Sequence, residues 1–255
     1  MEGKVYAVYF SPTGGSKKGA LAVASAFGAP AEIDLTPCTA APVPASFGPG
    51  DVVVFGAPVY GGRLFSGAVR RFSQLQGNGT PCVVTVTYGN RAYDDALAEL
   101  FDTAKACGFI PVAGAALVAQ HTYGDIQRGR PAADDIAADE AFGKKAADKL
   151  ARGDISVCAV PGNRPYRDGG RGGKFRPLTD AALCVSCGVC AAQCPEQAID
   201  YADVSKIDND RCIACFRCIA VCPTGAKNMN EEKYNAFAAE FSEKLRARRE
   251  NEYFI

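Results

Sequence analysis

The chain has 255 residues, 48% of them hydrophobic and 22% charged, enough for one domain of ordinary size and a smaller module beside it. Its 28 basic side chains balance 28 acidic ones, so composition gives no general attraction for nucleic acid or anionic lipid, and any partner must be recognised locally. No stretch approaches the roughly 18 apolar residues of a membrane span. The start "MEGKVYAVYF" enters a strand pattern directly, without the basic, apolar and cleavage regions of a secretory signal, so a cytoplasmic location is expected.

In chain order, apolar runs rich in β-branched residues at 4–10, 51–57, 81–87 and 109–119 alternate with helical patterns, notably 91–107 and 132–152. Continuous apolar strands between helices predict a parallel sheet covered on both faces. With a weaker strand at 31–35, the first 155 residues predict an α/β domain of five strands, the size of an open doubly wound fold. The four prolines of 36–50 mark an irregular connection. Residues 156–178 read as a linker, glycine-rich and basic from 160 onward, whose single "RGG" is a connecting loop rather than an RNA-binding element. A module over 179–228 follows. In 229–255, Asn230 offers a helix cap, and Tyr234, Phe237, Ala238, Phe241 and Leu245 share one face. This predicts a packed amphipathic helix, with a homodimer contact as the competing use.

Eight of twelve cysteines lie between 184 and 222, which favours metal ligation in a reducing compartment over disulfides. Cys38, Cys82, Cys107 and Cys158, scattered in apolar sequence, are expected to be small buried hydrophobes. Cys184, Cys187, Cys190, Cys194 and Pro195 match C-x2-C-x2-C-x3-C-P, and Cys212, Cys215, Cys218, Cys222 and Pro223 repeat it 28 residues later. Zinc is the competing metal, but structural zinc sites use separated C-x2-C pairs, and the third thiolate and trailing C-P serve no tetrahedral need. The double run resembles that of bacterial two-cluster ferredoxins. The resemblance implies two [4Fe-4S] clusters with crossed ligands: Cys184, Cys187, Cys190 and Cys222 for cluster 1, and Cys212, Cys215, Cys218 and Cys194 for cluster 2.

After the first strand, Ser11, Thr13, Gly14, Gly15 and Ser16 bring hydroxyls and free amides to a helix N-terminus, where a phosphate is well held. A tight strand-to-helix turn would need similar residues. Beyond the third and fourth strands come Pro58, Val59, Tyr60, Gly61 and Gly62, and Thr87, Tyr88, Gly89 and Asn90, where open α/β sheets bind ligands. Tyr60 and Tyr88 are placed to flank an aromatic ring, and the glycine-flanked amides to bind ring nitrogens and carbonyls. Lys17 and Lys18 follow the loop, either as surface lysines or as partners of a phosphate. No G-x-G-x-x-G occurs, which favours a mononucleotide.

These loops resemble the flavin mononucleotide (FMN) loops of the flavodoxin family, with Gly15 where the family usually carries Asn. The whole chain is similar to flavodoxin–ferredoxin fusion proteins of anaerobic microbes. The resemblance implies a flavodoxin-like sheet of order 2-1-3-4-5, a small α+β dicluster ferredoxin domain and a C-terminal helix. It also implies electron transfer between FMN and two [4Fe-4S] clusters, serving a redox partner protein. The alternative is a flavin-dependent reductase whose small organic acceptor binds over the FMN, with His121, just past the fifth strand, as the candidate proton donor. A loop histidine bonded to backbone is the plainer account of His121.

Overall fold

A computed structural model describes residues 3–38 and 46–255. At its centre are five parallel strands, β1 Val5–Tyr9, β2 Ala31–Asp34, β3 Val52–Tyr60, β4 Thr80–Tyr88 and β5 Phe109–Val118, hydrogen-bonded in the order 2-1-3-4-5. This is the flavodoxin-like doubly wound order. Because side chains alternate across a strand, each strand feeds two cores. Val8, Val53, Phe55 and Val84 pack against α2 (Ser66–Phe72) and α3 (Ala96–Ala106), while Ala7, Val54, Val83 and Ala115 pack against α1 (Gly15–Ser25) and α4 (Ala133–Ala151). Gly56 lets α1 close on the sheet. A Cβ there would meet the Ser16 carbonyl oxygen and Ala20 Cβ at 2.8 Å.

Of the proline-rich connection, residues 39–45 lie outside the described residues, and Ser46–Phe47 pairs with Gln76–Gly77. Cys82 and Cys158 are buried as expected and Cys107 is half-buried, but Cys38 is exposed, because the chain has already left the sheet beyond β2.

The cysteine-bearing module carries a two-stranded antiparallel ribbon, β6 Leu178–Thr179 with β7 Lys227–Asn228, and two four-residue helices, α5 Val189–Ala192 and α6 Arg217–Ala220. The preceding linker is pinned to the front domain. Arg164 pairs with Asp102 at 2.7 Å, and Asp95 accepts the Asn163 and Arg167 amides, each at 2.7 Å.

The last segment departs from a single helix. Helix α7 covers Glu232–Lys244, and Glu252–Phe254 then forms β8, an antiparallel sixth strand on the open edge of β5. The cause is local: Asn90 donates to the Leu245 and Ala247 carbonyls at 2.7 Å and accepts the Arg249 amide, which turns the chain out of the helix. An uncovered sheet edge is also an aggregation liability that β8 removes. Among the described residues no helix is long and apolar enough to cross a membrane.

The returning tail creates one titrating site. Asp139 is fully buried; its Oδ1 accepts from Tyr253 at 2.8 Å and Asn251 at 2.9 Å, while Oδ2 has no partner. Burial drives its pKa up to about 6 against the pull of those two bonds. A carboxyl that binds its proton more tightly when folded destabilises the fold above that value, by about 3 kcal/mol, and the penalty fades as pH falls toward the ordinary carboxylate range. Asp139→Asn is expected to raise the melting temperature at pH 8 and to flatten the gain otherwise seen on lowering pH through 6. A loss of stability at pH 8 would show that the charge is needed.

Candidate cofactor-binding site

The ends of β1, β3, β4 and β5 open into a cavity of about 320 Å³, inside the range of roughly 300–1,000 Å³ typical of small-molecule sites. Ser11, Thr13, Gly15, Ser16, Pro58, Val59, Tyr60, Gly61, Thr87, Tyr88 and Gly89 all reach its wall, so three loops separated in sequence converge as expected. Gly14, Gly62 and Asn90 do not. Gly14 supplies the left-handed turn (φ 91°) that starts α1; Gly62 lies under Asp94 and Arg167; Asn90 is committed to the C-terminal tail.

The phosphate-type loop is held from below. Thr36 Oγ1 accepts the Ser11 amide at 2.7 Å, and Ser11 Oγ accepts the Lys17 amide at 2.9 Å. The first-turn amides of Gly15 and Ser16 have no acceptor within the helix by position, which leaves them to an anion at the N-terminus. Lys17 is engaged elsewhere, paired with Glu32 at 2.7 Å.

Tyr88 corrects the expected ring sandwich. Its side chain is 3% exposed, belongs to the sheet core and packs edge-to-face on Tyr93 at 5.4 Å. Like Tyr60 it is the last residue of its strand, but its ring is held in the core on the α2–α3 face of the sheet. The aromatic walls are instead Tyr60 and Tyr123. Thr87 places a buried Oγ1 with no partner on the same wall, an atom that a polar ligand would satisfy.

His121 also lines the cavity, and Gly89 must lack a side chain because a Cβ would stand 2.2 Å from the imidazole. Its Nδ1 accepts the Tyr123 amide at 2.8 Å, leaving the proton to Nε2. Burial lowers its pKa to about 4, and the nearby Arg91 charge adds to the shift. A neutral imidazole of this kind offers a hydrogen bond from Nε2 rather than the proton of an imidazolium near neutrality.

The far wall of the cavity comes from the linker and the module, through Arg171, Gly172, Gly173, Ala214 and Cys215, which the sequence reading did not include in the site. The signal was present as "RGG". A Cβ on Gly172 would stand 2.4 Å from the Ile213 backbone, and one on Gly173 would stand 1.8 Å from the Tyr123 hydroxyl. The glycines are there for close passage. A shallower hollow of about 500 Å³ beside Asp94, Asp95 and Arg167 contains none of these loops.

In the module, Cys184, Cys187, Cys190 and Cys222 surround one cavity, and Cys194, Cys212, Cys215 and Cys218 surround another, each of about 20 Å³. Each set joins three thiols of one half with the last of the other. Among the described residues no three His, Cys, Asp or Glu side chains converge on a single-ion position. Burial pushes the Cys215 and Cys218 thiols up to about 12, so ligation there must displace a proton. Lys227 lines the first cavity, 2% exposed, with Nζ bonded only to the Thr179 hydroxyl and the Val204 carbonyl oxygen; no carboxylate of the described residues pairs with it. A buried ammonium beside four thiols suits an anionic occupant such as a thiolate-ligated cluster.

Residues 183–226 match the model of the 4Fe-4S dicluster domain. The chain carries a 4Fe-4S dicluster domain. Among curated proteins none matches this chain. Solved structures similar to the front part include a flavodoxin from the domain Archaea (14% identity, TM-score 0.40, covering 58% of this chain and 99% of the other). Others are a flavodoxin, WrbA-like protein from Agrobacterium tumefaciens (18%, 0.38, 60% and 99%) and the Streptococcus pneumonia TIGR4 flavodoxin (19%, 0.38, 57% and 98%).

The chain's one histidine makes its titration easy to follow. The imidazole resonance of His121 is expected to stay constant from pH 8 to 5.5 and to move only near pH 4. A midpoint near 6.5 would mean that the ring is solvated.

Proposed function

We propose that the front domain binds FMN in the strand-end cavity and exchanges electrons with two [4Fe-4S] clusters in the same chain. One observation carries this reading: Cys215 lines both the strand-end cavity and the second thiol cavity, so a single residue borders both cofactor positions. FMN would supply chemistry that passes between one and two electrons, and the clusters one electron each.

On this reading the loop from Ser11 to Ser16 holds the phosphate through amides and the start of α1, and Thr87 Oγ1 donates to or accepts from the ring edge. Tyr60 and Tyr123 bound the ring, and His121 offers a neutral donor. Cys184, Cys187, Cys190 and Cys222 hold cluster 1; Cys212, Cys215, Cys218 and Cys194 hold cluster 2. Burial holds the Tyr60 phenol well above its ordinary value, with the nearby Cys215 thiol adding to the effect, so Tyr60 stays neutral beside the ring. The strap at Gly172 and Gly173 and the dicluster domain at Ala214 and Cys215 cover the cavity, which favours a redox carrier serving a partner protein over the reductase of a small organic acceptor.

Anaerobic reductive titration with absorbance and paramagnetic resonance followed together tests the reading. Protein purified without oxygen is expected to contain FMN and eight irons, with both signals responding in one equilibrating system. Clusters without FMN, after attempted reconstitution, would defeat it. Thr87→Val is expected to weaken FMN binding by roughly 2- to 10-fold, the net worth of one hydrogen bond, with iron unchanged. Cys194→Ala is expected to remove the signal of the cluster walled by Cys212, Cys215 and Cys218 while the other persists; loss of the other signal alone would refute crossed ligation.

A further inference from the structure

The dicluster domain repeats its backbone as well as its cysteines. At an offset of 28 residues, Ser186 and Ala214 both have φ 52°, Gly188 and Phe216 have φ 74° and 59°, and Gln197 and Gly225 have φ 49° and 69°. Corresponding residues therefore present corresponding faces, and the two faces meet different fates. In the second half, Ile213 joins the core of the front domain, Phe216 packs on Tyr123 at 5.1 Å, and Cys215 borders the strand-end cavity. In the first half, the matching Val185 is 66% exposed, Cys187 is exposed, and a Cβ on Gly188 would meet no atom within 4 Å.

At two positions the uncovered face carries apolar side chains where its covered twin carries charge. Leu183 and Val189, both exposed, replace Arg211 and Arg217 of the second half. Its rim is acidic. Asp180 precedes the face, and Asp200 and Asp203 sit on the loop whose Val204 walls the same cavity as Val185. The basic group on that loop, Lys206, is bonded to Asp203 at 3.3 Å.

We infer that this face docks a second redox protein, one with an apolar centre, a lysine- or arginine-rich rim and its cofactor just behind a surface loop, as the front domain presents its own cavity to the second half. The inference rests on the proposed function. One electron leaves the dicluster domain and reduces the partner's centre by one; no bond forms or breaks and no proton need move. Acidic rims recruit basic partners at rates that fall with ionic strength.

The test is stopped-flow oxidation of the chemically prereduced, fully loaded chain by a basic ferric c-type cytochrome and, separately, by a small neutral quinone. The cytochrome rate is expected to fall with salt and to drop at least tenfold in Val185→Glu. It should be unaltered in Ile155→Glu, an exposed apolar residue just before the linker. The quinone rate should change less than twofold in both. Equal cytochrome rates for Val185→Glu and the parent, or an equal drop in Ile155→Glu, would overturn the docking face. If Val185→Glu loses iron, Leu183→Glu, which touches neither thiol cavity, carries the same expectation. A parent chain whose clusters are not oxidised by the quinone would sink the proposed function itself, a result separate from failure of the face.

Discussion

Arg71 and Arg217 bind the dicluster domain to the carboxyl ends of the strands, and the cavity between them takes its shape from that seating. Arg71 donates to the Leu35 and Thr36 carbonyls at 3.1 Å on one side, and to the Pro195 carbonyl at 2.5 Å and Glu196 at 2.9 Å on the other; its guanidinium also lies over the Phe10 ring. Arg217 donates to the Pro12 carbonyl at 2.9 Å from the start of α6, and to Gln193 in the opposite half of the module. Hydrogen bonds to charged groups are worth about 1.5–3 kcal/mol each when shielded from water. Both arginines act beside cysteines of the inner thiol set: Pro195, whose carbonyl Arg71 holds, follows Cys194, and Arg217 precedes Cys218. The bonds that dock the module thus also fix the segments carrying the inner thiol set.

Close approach completes the seating. The strap crosses between Tyr123 and Ile213 with no room for side chains at Gly172 and Gly173. Farther along, Phe175 packs on Tyr234 at 5.2 Å and Phe237 at 5.0 Å, and Phe241 meets His121 at 5.2 Å. Front domain, strap, dicluster domain and α7 therefore share one aromatic contact region, and the imidazole within it is dry enough to stay neutral.

Much of this was legible in the sequence because it rests on local chemistry. Continuous apolar strands between helices, a hydroxyl-and-glycine turn before α1 and a thiol spacing repeated at 28 residues each act over a few neighbours, and all appear where the pattern predicts. The apolar stripe of α7 from Tyr234 to Leu245 also appears, because helical periodicity is read from the stripe itself. What was not legible depends on contacts between distant segments. Tyr88 has the same glycine-flanked context as Tyr60 and likewise ends its strand, and only its packing in the core on Tyr93 sets it apart. Asn90 looks like a ligand residue until the Leu245 and Ala247 carbonyls arrive from 155 and 157 residues away. The three-residue strand β8 has too little periodicity to announce itself, and its reason for existing is the open edge of β5.

The 28-residue repeat finally separates what ligation requires from what docking adds. Left-handed turns recur beside the thiols in both halves, and glycine is the natural residue for them, as at Gly188. Phe216 occupies the equivalent turn at φ 59°, a conformation that costs a non-glycine residue about 1–3 kcal/mol. Its ring meets Tyr123 at 5.1 Å and Tyr234 at 5.9 Å, and aromatic pairs contribute about 0.5–1.5 kcal/mol each beyond the area they bury. The two contacts are of the right size to offset the strain. A phenylalanine is therefore tolerated at 216 because the front domain and α7 are packed against it, whereas the solvent-facing turn at 188 has nothing to offset such a residue and carries glycine.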